Sequence, residues 1–412
     1  MMRDARPDEC MRVVIAGAGM GGLTLALALL QKGIDVDVYE RSPELREVGA
    51  GLWISANGSR VLAALGLQGA IDAINLPPED RVVRFWRTGD EHSVYVRDNR
   101  ESAVGRVPKA DHTLVQVLRA ELQRVLYEAV CALKPDAVHF DAHVLGAANV
   151  ASGAQLLIEG QDAVEGAVVV GADGAHSRVR QSQFGPAPAR YTGAVAWRGL
   201  APMRLLKPQH RRALASTWVG PRAHVTTYPV RRGTEEFVSF SAQVDSETWH
   251  TDSWFEPGQL EDALRDFEGW HQDILDLFIN SESLFRWGLF VRDPLEAWSR
   301  GRVTLLGDAC HSMTPYLGMG VNITMEDACV LARCLEAAPA EFDHALRRYD
   351  AARIERANRT KDESLKMHRI FHSPELARAD TARSYIQKQW SPQVVRDRYD
   401  WLLKYDATTA DI

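Results

Sequence analysis

The chain repeats one pattern three times: a short unbroken apolar run that stops at glycine or an acid, followed by a polar turn. The first run, residues 13–16, stops at Gly17, Gly19 and Gly22, and its length and β-branched content predict a parallel strand covered on both faces. Residues 23–30 then predict a helix closed by Gly33, and Val36, Val38 and Tyr39 predict a second strand ending at Glu40. Residues 167–170 repeat the pattern and deliver Asp173 and Gly174 to a turn followed by Ser177, Arg178 and Arg180. A third run ends at Gly307 and Asp308, and a loop with His311, Pro315, Gly318 and Gly320 leads into a helix predicted over 321–335.

Between these motifs the rhythm changes. Residues 82–97 alternate as hairpin strands do, 114–126 have helical spacing with Leu118, Leu122, Val125 and Leu126 on one side, and 138–158 hold short strands. A small-residue loop at 49–59, with Gly51 and Trp53, precedes a helix predicted over 60–65. From 191 to 298 aromatic and β-branched residues dominate, and 225–230 and 237–244 predict strands of an antiparallel sheet, a suitable wall for a flat apolar ligand. From Glu341 onward the tail reads as helical.

The chemistry of the first turn follows from its spacing. Gly17 permits a tight turn, Gly19 removes the side chain that would hold a pyrophosphate off the backbone, and Gly22 lets helix and strand pack closely. The amides at the helix start face the phosphates with the favourable end of the dipole. Glu40, 18 residues beyond Gly22, stands where a carboxylate accepts both hydroxyls of an adenosine ribose, with Arg41 beside it. These features point to a dinucleotide containing ADP. Asp173, at the second strand end, is placed to accept from a sugar hydroxyl, and the amides of Gly320, Val321 and Asn322 are placed to hold an electron-rich oxygen.

Composition narrows the partners. A net charge of −7 and a pI near 6.0 argue against nucleic acid. The five cysteines show neither CxxC nor Cys/His metal spacing, so free thiols in a reducing compartment and no metal are expected. Residues 1–10 read as a short disordered leader without a signal segment, and no run approaches the roughly 18 apolar residues that span a bilayer. The expectation is a cytoplasmic protein with no membrane association, monomeric or homodimeric.

Three motifs in this order, GxGxxG with Glu40, Gly171-Ala172-Asp173-Gly174, and Gly307-Asp308, resemble the single-component FAD-dependent aromatic hydroxylases. The resemblance spans nearly the whole chain and is strongest to the branch of salicylate hydroxylase, 3-hydroxybenzoate 6-hydroxylase and 6-hydroxynicotinate 3-monooxygenase. It implies an α/β fold: a Rossmann-like FAD-binding domain of the para-hydroxybenzoate hydroxylase kind, an interleaved antiparallel-sheet substrate domain, and a helical C-terminus. The implied boundaries are 1–80, 111–185 and 299–360 for the FAD domain, 81–110 and 186–298 for the substrate domain, and 361–412 for the tail. By position, Gly17, Gly19, Gly22, Glu40 and Arg41 would hold the ADP half of FAD. Gly51 would lie along the cofactor, and Arg119 would reach its pyrophosphate or ribityl region. Asp173 and Gly174 match a motif tied to FAD and NAD(P)H, and Gly307 and Asp308 match the ribityl contact. Pro315, Gly318, Gly320, Val321 and Asn322 would lie against the isoalloxazine. The chain departs from the family with Ser312 where Pro is usual, Met319 where Gln is usual, and Leu118 where His usually precedes the helix arginine.

The activity implied is that NAD(P)H, with NADH favoured, reduces FAD, that O2 adds at flavin C4a, and that the resulting hydroperoxide hydroxylates a small aromatic or heteroaromatic acid. His224 and Tyr228, four apart on a strand and so on one face, match positions that line the substrate pocket, and a neutral histidine accepts a phenol proton near pH 7. Trp53, His311, Pro315 and Met319 are the expected pocket walls. Two alternatives stay open: an FAD oxidoreductase of the same fold without oxygen insertion, and a flavin-binding protein without enzymatic activity. A halogenase is disfavoured, because Trp197 has no second Trp two residues away.

Overall fold

Val13, Val14, Ile15 and Ala16 point alternately to opposite faces of one strand, yet all four are buried, so both faces of that strand are covered. In the computed structural model, which describes residues 12–45, 51–78, 80–93, 114–208, 214–251 and 253–412, this strand, Arg12–Ala16, lies near the middle of a six-stranded sheet. The expected leader, the loop residues Gly49 and Ala50, and the 94–97 end of the hairpin lie outside the described residues. Asp35–Tyr39 pairs with it in parallel on one side and Val168–Gly171 on the other. Val303–Leu305 then pairs in parallel with Val168–Gly171. The three motifs of the sequence therefore sit on three adjacent parallel strands.

Their ends are level. The amide of Ala172 donates to Ala16 O at 2.9 Å, that of Leu306 to Gly171 O at 2.9 Å, and that of Gly17 to Tyr39 O at 2.8 Å. All the turns that follow consequently emerge along one edge, the carboxyl edge, where open α/β sheets bind ligands.

A second, eight-stranded sheet carries the aromatic region. Its centre is Arg190–Pro202, Glu235–Asp245 and Ala223–Arg232, paired antiparallel with Trp197 opposite Ala242 and His224 opposite Gln243. The expected hairpin joins this sheet: Asp80–Phe85 runs parallel to Leu214–Gly220 and antiparallel to Glu91–Ser93. One expectation fails locally. Residues 115–118 form no helix but a strand, Val115–Leu118, paired with Gly51–Ile54, and the helix begins only at Arg119. All four strand residues are buried, so a short run covered on every side imitates the apolar density of a helix.

Helix Met20–Leu30 packs beside helix Gly320–Ala337, and the helical C-terminus, starting with the 30-residue helix Phe342–Phe371, wraps them. Ions join helix Gly320–Ala337 to helix Phe342–Phe371. Glu326, Asp327 and Arg353 are each fully buried. Arg353 donates to Asp327 Oδ1 and to Glu326 Oε2, both at 2.8 Å, and Arg356 grips both oxygens of Glu326 at 2.7 and 2.8 Å. Asn57 Nδ2 donates to Glu326 Oε1 at 2.6 Å, and Arg356 also holds the carbonyls of Trp401 and Leu402. Burial alone would raise the Asp327 pKa, but the charges of His311 and Arg353 outweigh it and the net shift is downward. Arg353→Met leaves the Asp327 carboxylate with a single partner in a dry interior, so urea unfolding should show a loss of about 3–5 kcal/mol. A loss below about 1 kcal/mol would mean the network is not what fastens the tail.

Candidate active site

At the first turn Gly17 has φ 100°, a conformation that suits glycine, and a side chain on Gly22 would overlap the Gly17 carbonyl. Gly19 differs: a Cβ there would meet nothing within 4 Å, so the turn opens onto empty space just where the amides of helix Met20–Leu30 are unpaired. Glu40 accepts from the amides of Ala18 at 2.9 Å and Ser42 at 3.0 Å. It braces the turn through one lone pair of each oxygen and keeps the others for a ligand. Arg41 is exposed beside it. Arg119 is exposed at the start of helix Arg119–Leu133, and one turn on, Gln123 donates to Ala18 O at 2.8 Å. Gln123 was missed from sequence, although its i, i+4 relation to Arg119 puts both on one helix face.

Asp173 has a structural task of its own. It turns back into its own loop, accepting from Ser177 Oγ at 2.5 Å and from the amides of Arg178 at 2.7 Å and Val179 at 3.2 Å. Burial raises its pKa despite those bonds. It caps the first amides of helix Arg178–Phe184, and Gly174, at φ 76°, lets the turn pass. Asp308 is the reverse case. It follows Gly307, is exposed at the start of a short helix, and receives no hydrogen bond from the described residues. A ligand hydroxyl on that edge finds a carboxylate acceptor there.

The late loop is held rigidly. Pro315 starts a single 3-10 turn, Gly318 follows at φ 67° and exposed, and helix Gly320–Ala337 begins with the amides of Gly320, Val321 and Asn322 free of intrahelical partners. The Asn322 side chain is fully engaged: Oδ1 accepts from Ser55 N at 2.8 Å, while Nδ2 donates to Trp53 O at 3.1 Å and Gly318 O at 3.0 Å. Met319 is buried. His311 lies deeper. Its side chain is 1% exposed and its Nε2 lies 2.5 Å from Asp327 Oδ2, so it joins the ionic core beneath the loop.

Facing the loop is the second sheet. Tyr228 is buried, edge-on to Trp53 at 5.8 Å between ring centres, and a Cβ on Gly51 would lie 2.6 Å from its ring. Gly51 thus packs against the sheet, and its amide donates to Ser239 Oγ at 3.1 Å. His224 is 1% exposed, with its ring against Phe371 at 4.4 Å and Tyr316 at 5.6 Å. Burial, reinforced by His372 and His368, holds its pKa well below the ordinary value, so it is neutral at pH 7. Four residues of strand separate His224 from Tyr228 by about 13 Å. Half-exposed Thr226 lies between them on the same face of the strand. Arg198 sits two strands away, on Arg190–Pro202, close to Tyr228, Asp308 and Arg119 and with its guanidinium 5.1 Å over the Trp287 ring; its Nε is buried with no hydrogen-bond partner among the described residues. Arg198, Tyr316 and His372 carried no motif in the sequence, although the His368-x3-His372 spacing was legible there.

A parallel sheet with a Gly-rich first turn, an acceptor on each side of it and a free helix N-terminus at the far end defines a dinucleotide-binding α/β protein with a substrate sheet over the cofactor edge. Residues 10–364 match the FAD binding domain family, and the chain belongs to that family. It is 35% identical over 397 residues to a 3-amino-4-hydroxybenzoate 2-monooxygenase of Streptomyces platensis, covering 96% of each chain. It is 31% identical over 376 residues to the 6-hydroxynicotinate 3-monooxygenase of Pseudomonas fluorescens, covering 89% of this chain and 91% of the relative. The crystal structure of Klebsiella pneumoniae HpxO complexed with FAD and uric acid superposes with a TM-score of 0.81 at 28% identity, covering 97% of this chain and 98% of the other. The open space at Gly19, the unpaired Asp308 carboxylate and the free amides at Gly320 to Asn322 fit FAD in extended form.

Two substitutions separate folding from cofactor binding. Gly19→Ala adds a methyl group into open space and should change apoprotein stability by no more than about 1 kcal/mol while weakening FAD binding at least about tenfold. Gly22→Ala forces backbone apart and should cost about 3 kcal/mol in thermal or urea unfolding. Equal stability of the two variants would contradict the geometry of the turn.

Proposed function

We propose that the protein is an FAD-dependent, NAD(P)H-consuming monooxygenase that inserts one oxygen atom into a small hydroxylated or aminated aromatic or pyridine carboxylate. The relatives named above act on rings of that kind by their names. The observation that carries the reading is the neutral, buried His224 on the sheet face opposite the Pro315 to Val321 loop, with the Arg198 guanidinium near Tyr228 on the same sheet.

When bound, FAD supplies the electrons taken from NAD(P)H and the activation of O2. Everything else falls to the chain. His224 takes the proton of the ring hydroxyl, which leaves the ring electron-rich and open to electrophilic attack. The Arg198 guanidinium, whose Nε has no hydrogen-bond partner among the described residues, receives the ring carboxylate. Tyr228 and Trp53 close the far end, and the packed aromatic sheet keeps water away from the reacting carbon. Asp308, Glu40, Arg119, Gln123 and the late-loop amides hold the cofactor in register.

The test is a panel of 3-amino-4-hydroxybenzoate, 6-hydroxynicotinate, 3-hydroxybenzoate and salicylate, with NADH and with NADPH, following O2 uptake and ring products. At least one acid should stimulate nucleotide oxidation and return as a hydroxylated product. His224→Ala should lower hydroxylation about 100-fold or more with FAD still bound. Nucleotide oxidation with no ring product from any acid would favour a reductase or a non-enzymatic flavoprotein instead.

A further inference from the structure

His224 does not stand alone. Its Nδ1 lies 2.8 Å from His372 Nε2, and His372 Nδ1 lies 2.6 Å from Asp245 Oδ1, which His368 Nε2 also reaches at 2.8 Å. Exposure rises along this series: 1% for His224, then side-chain values of 2% for His372, 24% for Asp245 and 30% for His368. A continuous row of hydrogen bonds thus joins a buried imidazole to solvent.

The backbone is bent to hold the row. Arg222, in the turn before His224, has φ 64°, a left-handed conformation that costs a residue with a side chain on the order of 1 kcal/mol. In that pose its amide donates to His372 O at 3.4 Å and its carbonyl accepts from Asp245 N at 2.9 Å. One strained residue therefore clamps both partners. The groups facing the row are Tyr316, whose buried hydroxyl has no partner among the described residues, the Phe371 ring, Tyr191, and the Arg222 guanidinium 3.9 Å from Asp245.

The tautomers follow from one fixed point. Asp245 is a carboxylate, since hydrogen bonds from His368 and His372 overcome the effect of burial and hold its pKa low. As an acceptor it requires the proton of His372 on Nδ1, which leaves His372 Nε2 as an acceptor and requires the proton of His224 on Nδ1. His224 Nε2 is then a bare lone pair, with no protein partner among the described residues.

We infer that Asp245 and His372 are positioning residues forming a proton relay that fixes His224 as a base toward the ring hydroxyl and carries the abstracted proton to solvent at Asp245 and His368. The inference rests on the function proposed above. In the step, the ring O–H bond breaks and an N–H bond forms at His224 Nε2. The Nδ1 proton of His224 passes to His372 Nε2, and the Nδ1 proton of His372 passes to Asp245 and on to water. One proton enters the row and one leaves, with no change of oxidation state.

The test uses Asp245→Asn and His372→Gln in the FAD-loaded enzyme, with whichever panel acid the unaltered protein hydroxylates best. At pH 7 hydroxylation should fall at least tenfold in each. The deficit should shrink as pH rises toward the ring hydroxyl's own ionisation near about 10, because there the ring arrives without its proton. A merely structural defect would lower the rate equally at every pH, and that outcome overturns the relay. Nitrogen NMR of histidine-labelled protein reads the tautomers without turnover: His224 should carry its proton on Nδ1 in the unaltered protein and lose that preference in Asp245→Asn. An unchanged His224 tautomer overturns the relay even if hydroxylation is confirmed, whereas a failed panel with the expected tautomers rejects only the proposed reaction. Asp245, His368 and His372 also lie close enough to share a cation, so stoichiometric bound metal in the purified protein would overturn the relay as well.

Discussion

The buried grip of Arg353 on Glu326 and Asp327 is the interaction on which the site depends. These acids lie on the second turn of helix Gly320–Ala337, so fixing them fixes the start of that helix, and the start of that helix is where the free amides meet the cofactor edge. The same ions reach outward. Asn57 ties in the helix behind Trp53, Arg356 ties in the carbonyls of the tail, and His311 ties in the turn after Asp308. A buried network of this kind is not in itself a large source of stability, since hydrophobic replacements often do as well. What it adds is direction: charges and hydrogen bonds admit one register where apolar contacts admit several.

The level ends of the three parallel strands do for the opposite side of the cleft what the ions do for the helix. Because Gly17, Ala172 and Leu306 are hydrogen-bonded at consecutive strand ends, Glu40 and Asp308 cannot shift along the edge independently. An extended ligand meets acceptors at a spacing set by the sheet. Asn322 then ties the start of helix Gly320–Ala337 to the strand of Trp53, so that the late loop and that strand are held as one assembly.

The floor was legible in the sequence and much of the wall was not, for a physical reason. A GxGxxG turn writes its constraints within 30 residues, because tight turn, close approach and helix start are local demands on neighbouring positions. Asp173 shows what such reading omits: an acid at a Gly-rich strand end also serves to cap the next helix, and that contact is written in no local pattern. Residues 115–118 failed because four buried residues are too few to separate a two-residue period from a 3.6-residue one. The link between Asp245 and His372 spans 127 residues and two elements of different type, and no local pattern encodes it.

Dryness and basicity make opposing demands on such a site. A pocket that excludes water protects a reactive oxygen donor, yet water is also the ordinary carrier of protons away from a phenol. Burial further lowers the basicity of His224, the group proposed to take the proton. A row of fixed donors and acceptors resolves both demands. It removes the proton without admitting solvent, and the Asp245 carboxylate at its outer end opposes the loss of basicity that burial imposes. The strained Arg222 turn is intelligible on the same terms, since it holds Asp245 against His372 at the cost of a conformation that its own side chain disfavours.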